Sequence, residues 1–478
     1  MIDLLVRGGC VVTPAGVVKA GCDVAVDGGR IVALGRADQP ARRTVDASSM
    51  LVLPGLVDAH VHLGCSSWDA VTPNDWYHGT AAAAVGGVTT VVDFATQTRG
   101  RLMMEAVDAW RSRADPDAVI DYGLHLSITD ASSATLDEIS RVVDYGIPTF
   151  KMFTIYRSHG IMLEDDQILE VCRRVHECGG LPGVHAENAP IAERNYARFA
   201  AKGLWQPHYH ALAKPDYVEA EAINRVLFLA RVASAPLYIY HLSTALGLEL
   251  VRRARAAGQA VLAETCTHYL TLSADCLDRP DGVNYICSPP LRSVADQRAL
   301  WQALSDGAVA LVSTDEAGYN AADKARALGG PLEAIPNGLP GVELRLPVLY
   351  TQGVEGGRLS LERFVELNCT NPARVCGLYP RKGVIAPGSD ADLIVIDPGR
   401  RVRLGADTQH MPVDWCAYDG LEVAGYPQYT VARGQVIVDD YVFCGARGRG
   451  EFVPGRLDWS GLSSLGLTDP RKADGPAA

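Results

Sequence analysis

Four histidines and one aspartate stand at or near the ends of short apolar runs that have the length of β-strands. His60 and His62 are separated by a single residue, and residues two apart on a strand point to the same side. His185, His241 and Asp315 each follow an apolar run of their own. One such histidine alone is usually an ordinary core or surface group. Imidazole and carboxylate together are ligands of zinc and similar ions, so the joint pattern predicts a metal site.

A lysine, Lys151, lies inside a further apolar run, Pro-Thr-Phe-Lys-Met-Phe. An ammonium group within an apolar strand is costly unless it is paired or loses its charge. One interpretation is a buried ion pair. The other is that CO₂ converts the amine to a carbamate, an anion that can bridge two metals, and the ease with which burial lowers a lysine pKa favours that reaction. The residues alone leave both interpretations open.

These runs belong to a repeating pattern in which short apolar segments alternate with longer amphipathic ones. The candidate strands are residues 56–62, 88–93, 121–127, 148–153, 182–186, 236–241, 260–265 and 308–314. Eight such units over about 300 residues are typical of a (β/α)₈ barrel, whose active site lies at the carboxyl ends of the strands. A doubly wound sheet is the alternative, but it calls for a glycine-rich phosphate loop after the first strand, and the sequence has none there.

Both ends of the chain have the pattern of short β-strands. Ile2, Leu4 and Val6 alternate with other residues, and further strand-like runs occur between residues 392 and 438. Short hairpins cannot bury both of their faces alone, so we expect the two ends to share one small β-sandwich. The predicted fold is therefore α/β. Residues 1–54 together with 377–478 form the β-sandwich domain, and residues 55–376 form the barrel domain.

Charge and cysteine usage exclude several kinds of protein. The 44 Lys and Arg residues against 56 Asp and Glu give a net charge of −12, which disfavours binding to nucleic acid or to an anionic membrane. Twelve cysteines in 478 residues, with no Cys-x-x-Cys pair, are too sparse for a disulfide scaffold. Asp3 stands where a signal peptide carries cations, and we find no uncharged run long enough for a membrane span. We expect a cytoplasmic protein without a nucleic-acid or membrane partner.

Seven short motifs resemble the cyclic amidohydrolase branch of the amidohydrolase superfamily, which includes hydantoinases and dihydropyrimidinases. In chain order they are GLVDAHVH (55–62), FKMF (150–153), HAEN (185–188), HLS (241–243), SPPLR (288–292), STD (313–315) and IPNG (335–338). The resemblance implies hydrolysis of the amide bond of a small ring, a 5-substituted hydantoin or a dihydropyrimidine, to an N-carbamoyl amino acid. It also implies a homotetramer, or a homodimer, as the assembly.

The same resemblance implies a site with two divalent metal ions, usually zinc, that are bridged by a carboxylated lysine and by a hydroxide nucleophile. The residues that it implies for the first ion are His60, His62, Lys151 and Asp315, and those for the second are Lys151, His185 and His241.

Four residues take further roles by resemblance. Asp315 would carry a proton from the nucleophile to the leaving nitrogen. Tyr156 would donate a hydrogen bond to the developing oxyanion. Backbone groups of Ser288 and Asn337 would hold the ring amide. These roles need the barrel to bring positions far apart in the chain to one end of the fold.

The chain departs from the family pattern beside the catalytic aspartate and after the first strand. Glu316 stands where the dihydropyrimidinases and many hydantoinases have histidine, and residues 63–68 are also unusual. Allantoin and cyclic imides are therefore kept as alternative substrates. Two other functions compete. One is a one-metal deaminase in which Glu187 moves protons, although such a site needs no bridging Lys151. The other is a non-catalytic scaffold, which the presence of all six predicted ligands disfavours.

Overall fold

Twenty-one β-strands and fifteen α-helices occur in the residues that the structure, a computed structural model, describes, which are 1–13, 16 and 19–469. The strands are β1 (Ile2–Val11), β2 (Lys19–Asp27), β3 (Arg30–Leu34), β4 (Ala41–Asp46), β5 (Leu51–Pro54), β6 (Leu56–Val61), β7 (Ser66–Ser67), β8 (Ala70–Val71), β9 (Val88–Thr96), β10 (Asp121–Ser127), β11 (Thr149–Phe153), β12 (Leu181–His185), β13 (Leu237–Ile239), β14 (Val261–Cys266), β15 (Leu311–Ser313), β16 (Leu393–Ile396), β17 (Val402–Arg403), β18 (Glu422–Val423), β19 (Pro427–Ala432), β20 (Gln435–Asp439) and β21 (Val442–Phe443).

The helices lie mostly between the strands of the barrel. They are α1 (Trp76–Val85), α2 (Met103–Ala114), α3 (Ser133–Tyr145), α4 (Asp165–Glu177), α5 (Ala189–Ala200), α6 (His208–Ala213), α7 (Asp216–Val232), α8 (Ala245–Ala256), α9 (Thr267–Thr271), α10 (Val294–Asp306), α11 (Ala321–Ala325), α12 (Arg345–Leu349), α13 (Leu361–Val365), α14 (Asn371–Val375) and α15 (Trp459–Leu462). Short 3₁₀ segments cover Arg157–His159, Ala274–Asp278, Gly282–Tyr285, Leu332–Ala334 and Ser463–Leu465, and π-helical segments cover Tyr350–Glu355 and Glu366–Thr370.

Eight parallel strands, β6 and β9 to β15, form one sheet in the order in which they occur in the chain. The first and last of them meet through a parallel pairing of Val61 with Glu316, where the main-chain N–H of His62 donates to the carbonyl oxygen of Glu316 at 2.8 Å. Nearly every residue of these strands is buried, since helices cover the outside of the sheet and its own side chains fill the inside. The predicted barrel is confirmed.

Two barrel strands are shorter than predicted. The sixth ends at Ile239 and the eighth runs only from Leu311 to Ser313, against predicted ends at residues 241 and 314. The backbone of His241 has φ of 38° and that of Asp315 has φ of 50°. A positive φ turns the chain out of the extended conformation, so neither residue can continue a strand.

The second large sheet contains strands from both ends of the chain. Its order is β21-β20-β19-β16-β5-β1-β2-β3, and β4 pairs with the same edge of β1 as β5 does. The two ends join where β5 pairs antiparallel with β16, with Leu53 opposite Ile394. Along this edge of β1, residues 2–7 pair with β4, and Cys10 and Val11 pair with β5. The sheet confirms the predicted β domain built from both termini.

The segment after β21 returns to the barrel. Phe452 pairs with Tyr122 of β10, and Trp459 of α15 packs with Leu181 and Leu311 at the amino end of the barrel. Residues 470–478 of the predicted terminal domain lie outside the described residues. The domain boundaries at residues 54 and 377 stay a prediction.

A buried lysine joins the terminal sheet to the barrel. Lys382 Nζ lies 2.6 Å from an oxygen of Asp121 at the start of β10, 2.7 Å from Asp392 and 3.0 Å from Asp390, and the lysine side chain is 1% exposed. Three carboxylates around one ammonium group offset the cost of burying it. The junction therefore holds the sheet against the amino ends of the barrel strands.

The structure bears on two sequence-based expectations, which concern membrane spans and disulfide bonds. Within residues 1–13, 16 and 19–469, every helix is too short or too polar to cross a bilayer. The cysteines in that part of the chain are all free thiols, as their sparse spacing predicted.

Candidate metal centre and active site

The predicted ligands all lie at the carboxyl ends of barrel strands. His60 is in β6 and His62 directly follows it, His185 is the last residue of β12, and His241 and Asp315 stand two residues beyond β13 and β15. The backbones of His241 and Asp315 lie in the left-handed region, which residues other than glycine rarely adopt. Such backbone strain in non-glycine residues persists only where the surroundings enforce it, and it is concentrated at functional sites.

One half of the cluster is built around His60. Its Nε2 lies 3.1 Å from Asp315 Oδ1 and 2.9 Å from Lys151 Nζ. His62 Nε2 reaches the same oxygen of Asp315 at 3.2 Å. The lysine, which is 2% exposed, also lies against the ring of Phe94, with Nζ 4.3 Å from the ring centre. These four predicted ligands thus converge on one point.

The other half contains His185 and His241. Their ring centres are 4.4 Å apart, and the His241 ring is 5.4 Å from that of His60. Candidate ligand atoms of His60, His241 and Asp315 all lie within 4.8 Å of one another. The structure therefore brings all six predicted ligands into one cluster, although their roles as ligands stay a prediction.

Two buried glutamates orient the imidazoles of this cluster. His60 Nδ1 donates to Glu264 Oε1 at 2.5 Å, which leaves the lone pair on Nε2, the nitrogen that faces Asp315 and Lys151. His185 Nε2 donates to Glu187 Oε2 at 2.8 Å and keeps the lone pair on Nδ1. Carboxylates that hold the outer nitrogen of a histidine in this way are a recurrent feature of metal sites.

Burial sets the charge of the cluster. It lowers the pKa of His62 to about 4 and holds the pKa of His241 well below its usual range. It also lowers the pKa of Lys151 to about 8. Burial alone would raise the pKa of Asp315, but the surrounding histidines outweigh it and keep that pKa well below its usual value. Near neutral pH His62 and His241 are therefore uncharged and Asp315 is an anion, the states in which they bind metals. For His60, burial lowers the pKa, but the carboxylates of Asp315 and Glu264 outweigh it and raise the pKa above its usual value.

The donor set fits a divalent metal. Both ring nitrogens of His241 are buried and have no hydrogen-bond partner among the described residues. A buried polar atom without a partner is costly, and a metal ion would supply the missing interaction. Imidazoles with one carboxylate suit zinc and similar ions. An eight-stranded barrel with this donor set at its carboxyl end defines the class of metal-binding barrel enzymes.

The three other predicted site residues surround the cluster. The Tyr156 ring centre is 5.5 Å from that of His185, and its hydroxyl lies beside Ser288. Ser288 Oγ donates to Glu187 Oε2 at 2.7 Å and also accepts from Lys214 Nζ. Asn337 lines a small cavity together with Tyr156 and Lys214. The structure thus brings the three residues to one rim, and their roles stay a prediction.

Glu316, the departure from the family pattern, does not line the rim. Its carboxylate is completely buried and accepts from Asn74 Nδ2 at 2.8 Å and from the main-chain N–H groups of Gly341 and Val342 at 2.6 and 2.9 Å. Every one of these donors belongs to a loop at the carboxyl end of the barrel. Glu316 therefore ties neighbouring loops together directly beside Asp315.

The sequence interpretation missed the buried groups behind the ligands. Glu264 lies in the strand Val-Leu-Ala-Glu-Thr-Cys, and a carboxylate inside an apolar strand is the same signal that singled out Lys151. The sequence predicts for Glu187 only the role of a proton carrier, yet its carboxylate accepts from His185, Ser288 and Lys214, the last at 3.1 Å. Lys214 gives no such signal, since it stands between α6 and α7 and not inside an apolar strand.

The chain belongs to the amidohydrolase family. The family model matches residues 51–437, which include the whole barrel and all six predicted ligands.

The chain is similar to known proteins over almost its whole length. It is 40% identical over 460 residues to a D-hydantoinase of Ralstonia pickettii, which covers 95% of this chain and 99% of the relative. It is 41% identical over 454 residues to a D-phenylhydantoinase of Escherichia coli O1:K1, covering 94% of this chain and 97% of the relative. The crystal structure of a dihydropyrimidinase from Brevibacillus agri superimposes with a TM-score of 0.92 at 36% identity, covering 95% of this chain and 99% of that one.

Proposed function

We propose that this protein hydrolyses the amide bond of a cyclic amide, a 5-substituted hydantoin or a dihydropyrimidine, to give an N-carbamoyl amino acid. The observation that carries the proposal is the convergence of the six predicted ligand side chains at one end of the barrel. The relatives named hydantoinase and dihydropyrimidinase, similar over nearly their full length, support the ring chemistry.

The proposed cofactor is a pair of divalent ions, Zn²⁺, bridged by carboxylated Lys151. The residues proposed to hold them are His60, His62, Lys151 and Asp315 for one ion, and Lys151, His185 and His241 for the other. When bound, such ions lower the pKa of a water molecule and polarise the carbonyl group under attack. The lowered pKa of Lys151, about 8 because of burial, supports the carbamate, since only the neutral amine reacts with CO₂.

The protein's own side chains would move the proton and orient the ring. Asp315, kept as a carboxylate, would take the proton of the attacking water and pass it to the leaving ring nitrogen. Burial raises the pKa of Tyr156 well above its usual value, so the hydroxyl keeps its proton and can donate to the carbonyl oxygen of the ring. Backbone groups of Ser288 and Asn337 would hold the ring amide.

An aromatic pocket beside Tyr156 favours a substrate whose amide ring carries an aryl substituent. Trp68, in the turn between β7 and β8, lies 5.1 Å from His159 and 6.0 Å from Tyr156 between ring centres. Its indole N–H donates to the carbonyl oxygen of Glu333 at 3.0 Å, which fixes its orientation. Aromatic rings at these distances attract a further ring edge to face. We therefore propose a 5-aryl hydantoin as the preferred substrate.

We also propose that the chain assembles as a homotetramer or a homodimer. Tyr217, Phe228 and Val232 of α7 are each about half exposed, at 49%, 56% and 57%, as is Leu212 of α6 at 54%. Large apolar side chains grouped on adjacent helices favour burial against another subunit. Sedimentation equilibrium would distinguish dimer from tetramer, and a monomer would contradict both.

A cytoplasmic location stays a prediction.

The function is tested with protein loaded with zinc and bicarbonate. Ring-opening rates are measured on 5-phenylhydantoin, dihydrouracil, allantoin and a cyclic imide, and metal is counted per chain. We expect one ring to be opened much faster than the others, with two metal ions per chain. Lys151→Ala should abolish turnover, whereas Lys202→Ala, at an exposed lysine, should not change it.

Two results would overturn the proposal. If the metal-loaded protein opens none of the four rings, the cyclic amide assignment is wrong. If it holds a single metal and releases ammonia from an amino-substituted ring, it is a deaminase. Turnover of allantoin or of the imide alone would keep the reaction and change the substrate.

A further inference from the structure

Lys324 of α11 is a completely buried lysine outside the metal cluster. Its Nζ donates to three main-chain carbonyl oxygens, those of Asn284 at 2.8 Å, Ile286 at 2.7 Å and Gly338 at 2.6 Å. Among the described residues it has no carboxylate partner. An ammonium group has three hydrogens to donate, and here each has its own acceptor. Such a complete set of bonds is what makes its burial tolerable.

The three carbonyl groups belong to the two segments that carry the proposed ring contacts. Ile286 stands two residues before Ser288, and Gly338 directly follows Asn337. The segments are also bonded to each other, because the N–H of Gly338 donates to the carbonyl oxygen of Ile286 at 3.0 Å. One ammonium group therefore joins both segments into one unit.

The Gly338 segment is closely packed as well. Gly338 has φ of 145°, and a Cβ added there would lie 2.3 Å from the carbonyl oxygen of Ala317. Only glycine fits such a position. The segment is thus packed against the loop that follows β15 on one side and held by Lys324 on the other, which fixes the place of Asn337.

The geometry points to Lys324 as a positioning residue that sets the spacing between the Ser288 and Asn337 backbones and, through it, the affinity for the ring amide. The inference rests on the proposed function, because it concerns how that ring is held. Lys324 touches neither the metal ligands nor the cavity lining beside Tyr156, so it acts only through the two segments.

Lys324→Met tests the inference, because methionine keeps an unbranched apolar chain but donates no hydrogen bond. Steady-state kinetics on 5-phenylhydantoin are measured together with metal content and with hydrogen exchange in peptides covering 284–290 and 336–340. We expect KM to rise by about tenfold or more with kcat nearly unchanged, the sign of lost ground-state binding. Metal content should stay at the wild-type level, and exchange should quicken only in those two segments.

Three further variants are needed to interpret the result, two as controls and one as a conservative change at Lys324. Asp323→Asn changes the neighbouring residue of the same helix, and Lys202→Met removes an exposed lysine; both should leave KM unchanged. Lys324→Gln keeps two donors and should give an intermediate KM. If Lys324→Met does not fold, Lys324→Gln alone carries the test.

The outcomes separate this inference from the proposed function. If the wild-type protein opens the ring and KM of the folded variants equals that of wild type, the positioning role is wrong and the proposed function stands. If kcat and metal content fall together while KM is unchanged, Lys324 has only a general structural role. If the wild-type protein opens no ring, the proposed function fails and the role of Lys324 in ring binding fails with it.

Discussion

Glu264→Gln removes the charge that orients His60 and keeps the size of the side chain. Glu264 is completely buried; its Oε1 accepts from His60 Nδ1 at 2.5 Å and from the main-chain N–H of His241 at 3.2 Å, and its Oε2 accepts from the Tyr238 hydroxyl. An amide has one oxygen, so one side of this group would face NH₂. The NH₂ group would face the Tyr238 hydroxyl, which can accept from it, while the amide oxygen keeps the bond to His60 Nδ1 without the charge that raises the basicity of Nε2.

The expected loss is about 100-fold in zinc affinity, the upper end of the roughly 10–100-fold range for outer partners of metal-binding histidines. That factor equals about 2.8 kcal/mol. We expect the upper end because one carboxylate holds groups of two predicted ligands, the ring of His60 and the main chain of His241.

The assay is competition for Zn²⁺ with a chromogenic chelator, combined with thermal melting of the metal-free protein. Asp93→Asn is the matched control. Asp93 is also a buried carboxylate in a barrel strand, but it accepts from the main-chain N–H of Leu63 at 2.7 Å and from Trp110, and it binds no predicted ligand. The control should hold zinc as wild type does. Wild-type zinc affinity in a folded Glu264→Gln variant would refute the reasoning about His60.

Three other changes test the fold around the site. Lys382→Met leaves the buried carboxylate of Asp392 without a cation, whereas Asp121 keeps Arg433 and Asp390 keeps Arg381. The change should lower the free energy of unfolding by about 3–5 kcal/mol in urea denaturation; a loss within error would contradict the junction. Burial lowers the pKa of His125 to about 3, so the unfolded chain binds more protons below about pH 6.5, and stability should fall there by about 1.4 kcal/mol per pH unit from this residue. His125→Gln should flatten that dependence, and an unchanged slope would show that the histidine does not contribute. Glu316→Gln sets an NH₂ group against main-chain donors and should cost about 1–3 kcal/mol, whereas an unchanged melting temperature would mean that the loops are held otherwise.

The barrel could be predicted from the sequence because its strands are buried on both faces. Such strands appear as continuous apolar runs, and all eight were located from these runs. The two strands that proved shorter end just before His241 and Asp315, whose left-handed backbone no apolar pattern reveals. Strand existence depends on local composition, whereas the exact end of a strand depends on the contacts around it.

The metal-ligand candidates could also be found in the sequence, since their types and places at strand ends are local features. The groups that orient them could not. His60 and Glu264 are 204 residues apart, and His185 and Glu187, although close in the chain, are linked to Lys214 and Ser288 only through the fold. The tautomer of a histidine depends on which acceptor lies within hydrogen-bond distance of which ring nitrogen. Here that acceptor lies on a strand that is distant in the sequence and becomes a neighbour only in the folded barrel.

The sequence by itself thus determined the class of fold, the identity of the donor atoms and the end of the barrel where they stand, because each follows from local periodicity and residue type. Only the tertiary structure decided that Glu264 and Glu187 turn the imidazole lone pairs inward, that Glu316 points away from the rim, and that Lys324 joins the Ser288 and Asn337 segments. Hydrogen bonds act over about 3 Å, so partners distant in the chain become known only when the chain is folded.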